Sequence, residues 1–200
     1  SPGVVTSLQS VLGTFRAIDI FGNANLEPES ADTLNVGAIV ETSNFFATLD
    51  WWKFDFQNPL GTEPLAGMVN ALFPNGASAT NNCGVAGYAA LQARFTFTSP
   101  CANGVSAGTI SRIATYNING APIETSGLDL QAQYTFNDVF GGDLSIGGGG
   151  SYVLEYNVGA VTVEGIVVQQ AFDAVGKLNY QTSVYPIPQW KGNAYVEWGN

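Results

Sequence analysis

The side chains that most often carry out chemistry in proteins form no recognisable catalytic set in this sequence. Histidine is absent, so a Ser-His or Cys-His nucleophile pair and a His-ligated metal site are excluded. The 16 Asp and Glu residues include no pair that stands out as the two carboxylates of a glycoside hydrolase. We therefore expect no enzyme activity, no cofactor and no metal site.

A run of glycines, Gly147–Gly150, is the one stretch that could be mistaken for a phosphate-binding loop. Such a loop continues into Gly-Lys-Ser/Thr and a helix, whereas this run continues into Ser151 and Tyr152. We interpret it as strand backbone that bulky neighbours approach closely. A formal net charge of −10 also argues against nucleic acid as a partner, because phosphates would be repelled.

Cys83 and Cys101 are the only cysteines, and the long alternating strands described below indicate an exported membrane protein. We predict that they form one disulfide in an oxidising compartment. Closing a loop of about 15–20 residues would stabilise it by about 3 kcal/mol in the chain-entropy description. Two unpaired thiols in a loop are the alternative.

The elements that must position these side chains are β-strands, and the clearest lie within Thr125–Val158. Residues alternate there with a period of two on both sides of a turn predicted at 137–142, which gives each strand one apolar and one polar face. The predicted apolar face contains Leu128, Leu130, Ala132, Tyr134, Phe136, Leu144, Ile146, Gly148, Gly150, Tyr152, Leu154 and Tyr156.

The length of this alternation indicates a membrane. Strands of soluble proteins usually have about five or six residues, whereas a tilted strand that crosses a bilayer needs roughly 9–11. No run of 18 or more apolar residues exists for a membrane helix. We therefore predict an all-β fold, an antiparallel transmembrane β-barrel segment of about five long strands whose apolar face contacts lipid.

Further strands are predicted at 33–41, 45–56 and 189–198. In the last of these, Trp190 and Trp198 share a face about 20 Å apart, as aromatic borders of a membrane band would. In the second, Trp52 and Phe54 share a face that, extended backwards, would place Asp50 in lipid. We predict a β-bulge near Asp50–Trp51 that turns the carboxylate inward; an inward Asp50 without a bulge is the alternative.

Connections of two lengths separate these strands. Short turns at 42–44 and 137–142 are predicted on the periplasmic side, and the stretches 57–112 and 159–187 are predicted to be long extracellular loops. Residues 1–21 are expected to end another long loop. Within 57–112 we predict a short helix at Tyr88–Phe95 and an ordered lid closed by the disulfide.

Several motifs in this chain resemble those of TonB-dependent outer-membrane receptors. The segment Gly22-Asn23-x-Asn25-Leu26-x-Pro28-Glu29-Ser30 is similar to the Gly-Asn-x-x-Leu-x-Pro-Glu-Ser/Thr signature that precedes a barrel strand in that family. The other similar motifs are 50–56 with its Trp-Trp pair, Asn117 followed by 125–129, and 185–191, which looks like the Leu-Pro-x-x-Lys/Arg start of a late strand.

The resemblance implies that residues 1–200 are part of one β-barrel domain, a segment of a 22-stranded barrel without its plug domain. It also implies a location in the bacterial outer membrane and TonB-dependent uptake of a scarce nutrient such as an iron chelate, cobalamin or an oligosaccharide. The partners would be outer-membrane lipid, the rest of the barrel with its plug, the TonB energy-coupling protein and the ligand. A small complete outer-membrane barrel with a structural or adhesion role and a secreted acidic β-sandwich are the alternatives.

Candidate ligand-binding side chains follow from these assignments. We expect Trp51, Lys53 and Asp55 to face the barrel lumen. We expect a second set above the lumen, namely Tyr88, Arg94, Phe95 and Phe97. Ordinary loop packing and barrel lining are the alternative for each residue.

Overall fold

A computed structural model describes residues 17–74, 80–177 and 185–199 of the chain. The strands are β1 (Ala17–Phe21), β2 (Ser30–Glu41), β3 (Phe45–Gln57), β4 (Leu60–Thr62), β5 (Phe95–Phe97), β6 (Ile110–Asn119), β7 (Ile123–Val139), β8 (Gly142–Val158), β9 (Val161–Val163), β10 (Ile166–Gln169), β11 (Phe172–Asp173) and β12 (Trp190–Gly199). The α-helices are α1 (Leu65–Leu72) and α2 (Ala89–Gln92), and 3₁₀ turns lie at Ala86–Tyr88 and Ala107–Thr109.

The chain divides into two units, and each is described by itself. The compact unit comprises Ser1–Ser30, Gln57–Pro122 and Gly159–Phe172. The sheet unit comprises Ala31–Phe56, Ile123–Val158 and Asp173–Asn200.

The sheet unit is built on one open antiparallel sheet. Its strand order is β2-β3-β7-β8, with β12 and the short β11 both paired to β8. β7 and β8 each have 17 residues, long enough to cross a bilayer at a tilt. The predicted all-β segment with about five long antiparallel strands is therefore confirmed.

The turns of the sheet unit are tight. Between β2 and β3 the Thr42 N–H donates to the Phe45 carbonyl over 2.8 Å, at the predicted turn. The β7–β8 turn is shorter than predicted, because Val139 pairs with Gly142 and only Phe140 and Gly141 lie between them. Both turn residues have positive φ, 55° and 79°, as a type I′ hairpin turn requires.

One side of this sheet, the apolar face, is bordered by aromatic rows. The first border row crosses β3, β7, β8 and β12 and consists of Trp51, Leu128, Tyr152 and Trp190. The second border lies towards the turns and contains Phe45, Tyr134, Phe136 and Trp198. Between these borders lie small and aliphatic residues such as Leu49 and Leu130, each about half exposed. Beyond the first border, Lys53 pairs with Glu124. An apolar band with aromatic borders and charges beyond it is the pattern of a lipid-facing barrel wall.

The β-bulge predicted near Asp50–Trp51 is wrong. β3 and β7 keep one register from Phe45 to Phe56, with Asp50 directly opposite Asp129. Asp50 therefore lies on the polar face without a bulge, which was the alternative. The aromatic residues of β3 change sides at this point, since Trp51 lies on the apolar face whereas Trp52 and Phe54 lie on the polar face.

A register shift lies instead in β8. Gly127 pairs with Val153, but the preceding Ser126 pairs with Glu155. The extra residue in β8 reverses the alternation, so Tyr156 pairs with Thr125 on the polar face. The prediction that Tyr156 faces lipid is therefore wrong, whereas the apolar residues of β8 before the shift lie where they were predicted.

The compact unit has a buried apolar core. Its largest fully buried side chains are those of Phe73, Met68, Leu72, Leu91, Ile110 and Ile113. Helix α1 supplies several of them and packs closely on β10, since a Cβ added at Gly67 would lie 2.1 Å from the Val168 carbonyl oxygen. Asn82 satisfies carbonyls at the end of α1, because its N–H donates to Leu72 and its side chain to Ala71.

A small sheet of β1, β4, β5 and β6 completes the compact unit. β1 pairs in parallel with β6 from Ala17 opposite Arg112 to Phe21 opposite Tyr116, so the prediction of a loop up to residue 21 is wrong for this part. Residues 1–16 lie outside the described residues. The predicted helix at Tyr88–Phe95 is present as α2 but ends earlier, because Phe95 begins β5 and pairs with Ile113.

The predicted loop 159–187 also contains regular structure. β9 and β10 form a two-stranded hairpin in the compact unit, and β11 pairs with β8 in the sheet unit. Residues 178–184 of this loop lie outside the described residues.

Candidate functional site

The polar face of the sheet unit is concave and forms the candidate site. A concavity of about 670 Å³ lies over β3, β7, β8 and β12. We call its polar lining the polar patch, and that patch consists of Thr48, Asp50, Asp129, Gln131, Ser151, Lys191, Asn193 and Tyr195. A curved wall that is wet inside and apolar outside is the arrangement of an outer-membrane barrel.

Glycines in the strands give the polar patch its depth. Gly147 and Gly149 of β8 lie between β7 and β12 on this face, where larger side chains would fill the concavity. The Tyr195 ring occupies the space above Gly147, where an added Cβ would be 2.5 Å from the ring. The Tyr195 hydroxyl donates to Oε1 of Gln133 over 2.8 Å, so the ring is held across the glycine strand. The sequence-based interpretation of the glycine run as closely approached strand is consistent with this packing.

Most polar side chains of the patch have no partner among the described residues. Asp50 and Asp129 are opposite one another across β3 and β7, Ser151 is next to Asp129, and Lys191 is next to Ser151. No described residue forms a hydrogen bond or ion pair with the side chains of Asp50, Asp129 or Lys191. These acceptors and this donor are available to a ligand or to another part of the protein.

An aromatic ladder, formed by Trp52, Phe54 and Phe56, continues the same face of β3 beyond Asp50. The ring centroids of Trp52 and Phe54 are 5.6 Å apart, and those of Phe54 and Phe56 are 6.1 Å apart and stacked. The alternation in this strand predicted a lipid-facing position for Trp52 and Phe54, so these rings were not among the predicted ligand-binding residues. The charge of Asp50 on the same face was the signal that could have located them inside.

The candidates Trp51, Lys53 and Asp55 lie on the opposite side from the polar patch. Trp51 pairs with Leu128 and Lys53 with Ser126, so these side chains share the apolar face and its charged margin. Their predicted lumenal location is therefore wrong. The physical reason is the continuous register of β3: without a bulge, these odd-numbered residues point to the side of the sheet opposite Asp50.

The candidates Tyr88, Arg94, Phe95 and Phe97 belong to the compact unit, where packing accounts for most of their surface. Phe95 is buried, and Phe97 contacts the rings of Phe73 and Phe95. Tyr88 is half-buried against the core. Beside Phe95 and Phe97 a shallow pocket of about 370 Å³ opens near Val85.

Arg94 is the centre of an ion-pair network in the compact unit. It pairs with Glu63 and, over 2.9 Å, with Glu164, and its Nε donates to the Ala114 carbonyl over 3.2 Å. Its guanidinium also lies 4.3 Å from the centre of the Tyr116 ring. Arg94 therefore joins distant segments of the unit, and each of its three side-chain nitrogens donates a hydrogen bond within it.

The signature segment Gly22–Ser30 is held by side chains near the ends of β4 and β6. The Asn119 amide donates to the Glu27 carbonyl and accepts from the Glu27 N–H, each over 2.8 Å. Asn58 donates to the Glu27 carboxylate over 2.9 Å, and Glu29 accepts from the Leu60 N–H. Among the signature residues, Asn25 donates its N–H to the Asn23 side chain. Glu27, which the predicted signature leaves unspecified, carries much of this contact.

The disulfide between Cys83 and Cys101 is present, with the Cα atoms 5.3 Å apart. Asn81 reinforces it, because its side-chain amide donates to the carbonyls of Ala102 and Val105 over 2.9 and 2.7 Å. The predicted pairing is confirmed.

The part of the chain that the structure describes contains neither a metal-binding cluster nor a membrane-spanning helix. No group of three or more His, Cys, Asp and Glu side chains there could hold a metal ion. None of the helices in residues 17–74, 80–177 and 185–199 is long and apolar enough to cross a membrane.

Comparison with known proteins identifies the family. A family model described as TonB dependent receptor-like, beta-barrel matches residues 5–200. Searches of curated proteins and of solved structures found no match. Because the family match extends over nearly the whole chain and the described strands form the expected open antiparallel wall, the chain belongs to the TonB-dependent receptor β-barrel family.

Proposed function

We propose that this chain forms part of the wall and an extracellular lid of a receptor that takes up a scarce nutrient, an iron chelate, cobalamin or an oligosaccharide, with energy supplied through TonB. The family is one of bacterial outer-membrane receptors and transporters. The observation that carries the proposal is the sheet unit itself, which has an apolar side with aromatic borders and a concave polar side.

Chain connectivity supports the assignment of one end of the strands to the periplasm and of the other end to the cell exterior. The two-residue turn at Phe140–Gly141 and the tight turn after Thr42 lie at the same end of the strands, because Phe45 pairs with Tyr134 near the close of β7. The long connections follow the other end. Outer-membrane barrels have short periplasmic turns and long extracellular loops, so the compact unit would be extracellular.

The same features favour this function over the two alternatives. A secreted β-sandwich would bury its apolar face against a second sheet, whereas Leu34, Val36 and Leu130 are more than half exposed. A small barrel would close on itself, whereas the described long strands form an open sheet. The remaining barrel strands would then complete the wall, and the plug domain would fill the lumen.

A labelling experiment on intact bacteria tests the proposed orientation. Ala90→Cys in the compact unit and Phe140→Cys in the β7–β8 turn both place a thiol at an exposed position. A membrane-impermeant maleimide should label Ala90→Cys on intact cells and Phe140→Cys only after permeabilisation. Labelling of both sites, or of Phe140→Cys alone, on intact cells would contradict the proposal.

An uptake assay tests the transport function. Deleting the receptor gene should abolish uptake of one nutrient class, and deleting the gene for TonB should have the same effect on that nutrient. Uptake that continues without TonB would assign the protein to a passive pore instead.

A further inference from the structure

The aromatic ladder of Trp52, Phe54 and Phe56 is an unusual feature of a face that elsewhere carries mainly polar residues and glycines. None of the three side chains is buried, and Phe56 is 38% exposed. Aromatic surface left accessible on a concave, wet wall is a common sign of a ligand-binding site.

The neighbouring strand places only small side chains opposite the first two rings of the ladder. Opposite Trp52 and Phe54, β7 presents only Gly127 and Thr125. A Cβ added at Gly127 would lie 2.3 Å from the Trp52 ring, so the ring rests directly on strand backbone. This support fixes the indole, and a rigid ring loses little conformational entropy when a ligand binds.

The ladder leads directly into the polar patch. Asp50 is the next residue on the ladder's side of β3, and Asp129 lies opposite it. Further along the face are amide and hydroxyl groups of Gln131, Asn193 and Tyr195. The result is a line of aromatic side chains followed by a cluster of hydrogen-bonding groups within one unit of the structure.

We propose that the aromatic ladder and the polar patch form one binding path for a neutral, linear oligosaccharide. This inference rests on the uptake function proposed above and names the ligand class. The C–H faces of successive sugar rings would pack on the aromatic rings, and the sugar hydroxyls would pair with the carboxylates and amides, which can accept and donate hydrogen bonds.

The charge and shape of the path select against the other ligand classes. Asp50 and Asp129 lie side by side with one cation, Lys191, in the same row, so an anionic iron chelate would be repelled. The ladder follows a single strand, which suits a chain-like ligand better than the broad ring system of cobalamin.

The experiment uses the full-length receptor purified in detergent and isothermal titration with named probes. These are linear glucose oligosaccharides with α-1,4 and β-1,4 linkages, a β-1,4 xylose oligosaccharide, a ferric catecholate chelate and cyanocobalamin. Trp52→Leu is compared with Trp51→Leu, a matched control that changes the adjacent tryptophan on the apolar face. Heat-modifiability of each variant confirms that its barrel is folded.

We expect at least one oligosaccharide to bind and Trp52→Leu to weaken that binding about tenfold or more. Trp51→Leu should change it less than about twofold, and Trp52→Phe, which keeps a ring, should retain most of the affinity. Asp50→Asn should weaken the same sugar less than Trp52→Leu, because it keeps a hydrogen-bonding group.

Other outcomes overturn the inference. It fails if no oligosaccharide binds, or if Trp51→Leu and Trp52→Leu lose affinity equally. It also fails if only the ferric chelate or cyanocobalamin binds, but TonB-dependent uptake of that ligand would still support the proposed function, so the two failures are distinguishable.

Discussion

In the compact unit Met68, Leu72 and Phe73 are fully buried, whereas in the sheet unit Leu34, Val36 and Leu130 are more than half exposed. The two units come from one chain and use the same kinds of side chain. The compact unit encloses its apolar residues between a helix and strands, and the sheet unit displays them on the outside of a single layer.

The difference shows which solvent each unit is built for. Burial of apolar surface away from water stabilises the compact unit by itself. The exposed side chains of the sheet unit would be unfavourable in water, but they lose nothing when lipid hydrocarbon surrounds them. The charged groups show the same contrast between the units, since Arg94 is enclosed by ion-pair partners while Asp50 and Asp129 face an open concavity.

The largest effect is expected for Arg94→Ala in the compact unit. The side chains of Arg94 and Glu63 are only 11% and 7% exposed, and removing one partner of a buried pair costs roughly 3–5 kcal/mol. Hydrogen exchange in α1 and β5 of the folded receptor should report this loss. Arg112→Ala is the control: its hydrogen bond to Asp19 raises the Arg112 pKa, yet the side chain is exposed, so its loss should be small. Equal effects would contradict the view that burial makes the Arg94 network important.

A substitution on the apolar face tests the other half of the comparison. Leu130→Arg should destabilise the receptor in lipid vesicles by roughly 2–4 kcal/mol, because a cation near the membrane midplane is costly. The adjacent Gln131→Leu, on the polar face, is the matched control. Urea unfolding of both variants gives the result, and a neutral Leu130→Arg with a damaging Gln131→Leu would mean that the faces are reversed.

The disulfide should stabilise one unit only. Replacing both Cys83 and Cys101 with Ser should cost the compact unit about 3 kcal/mol, visible as faster hydrogen exchange there. The heat-modifiable barrel should still assemble, and capture of the ligand at the cell surface should weaken as the lid loses order. Loss of barrel assembly would make the disulfide a folding element of the whole domain.

The smallest effect is expected at the β7–β8 turn. Phe140 has φ 55°, a conformation that costs a residue with a Cβ about 1–2 kcal/mol and that Asn tolerates better. Phe140→Asn should therefore stabilise the receptor by up to about 1 kcal/mol. Gly141→Ala, at φ 79°, should have the opposite sign. Thermal melting of the two variants compares them, and a destabilising Phe140→Asn would show that the exposed ring has contacts of its own.

The sequence by itself determined the class of fold and most strands of the sheet unit. Strict alternation in 127–136 and 143–152 depends only on local neighbours, because successive side chains of a strand point to opposite sides wherever the strand lies. The disulfide was also predictable, since only two cysteines exist. The family motifs predicted the barrel family from the residue types alone, without any tertiary contact.

The tertiary structure alone decided which side of β3 faces inward, where β8 shifts its register, and how the compact unit forms. β3 carries aromatic residues on both faces, and only its unbroken pairing with β7 excluded a bulge and so placed Trp52 on the same side as Asp50. The register shift after Val153 reverses which residues of β8 face each side of the sheet, although apolar and polar residue types continue to alternate there. β1 meets β6 across a long stretch of chain, and such pairing depends on contacts between distant residues, which local periodicity cannot encode.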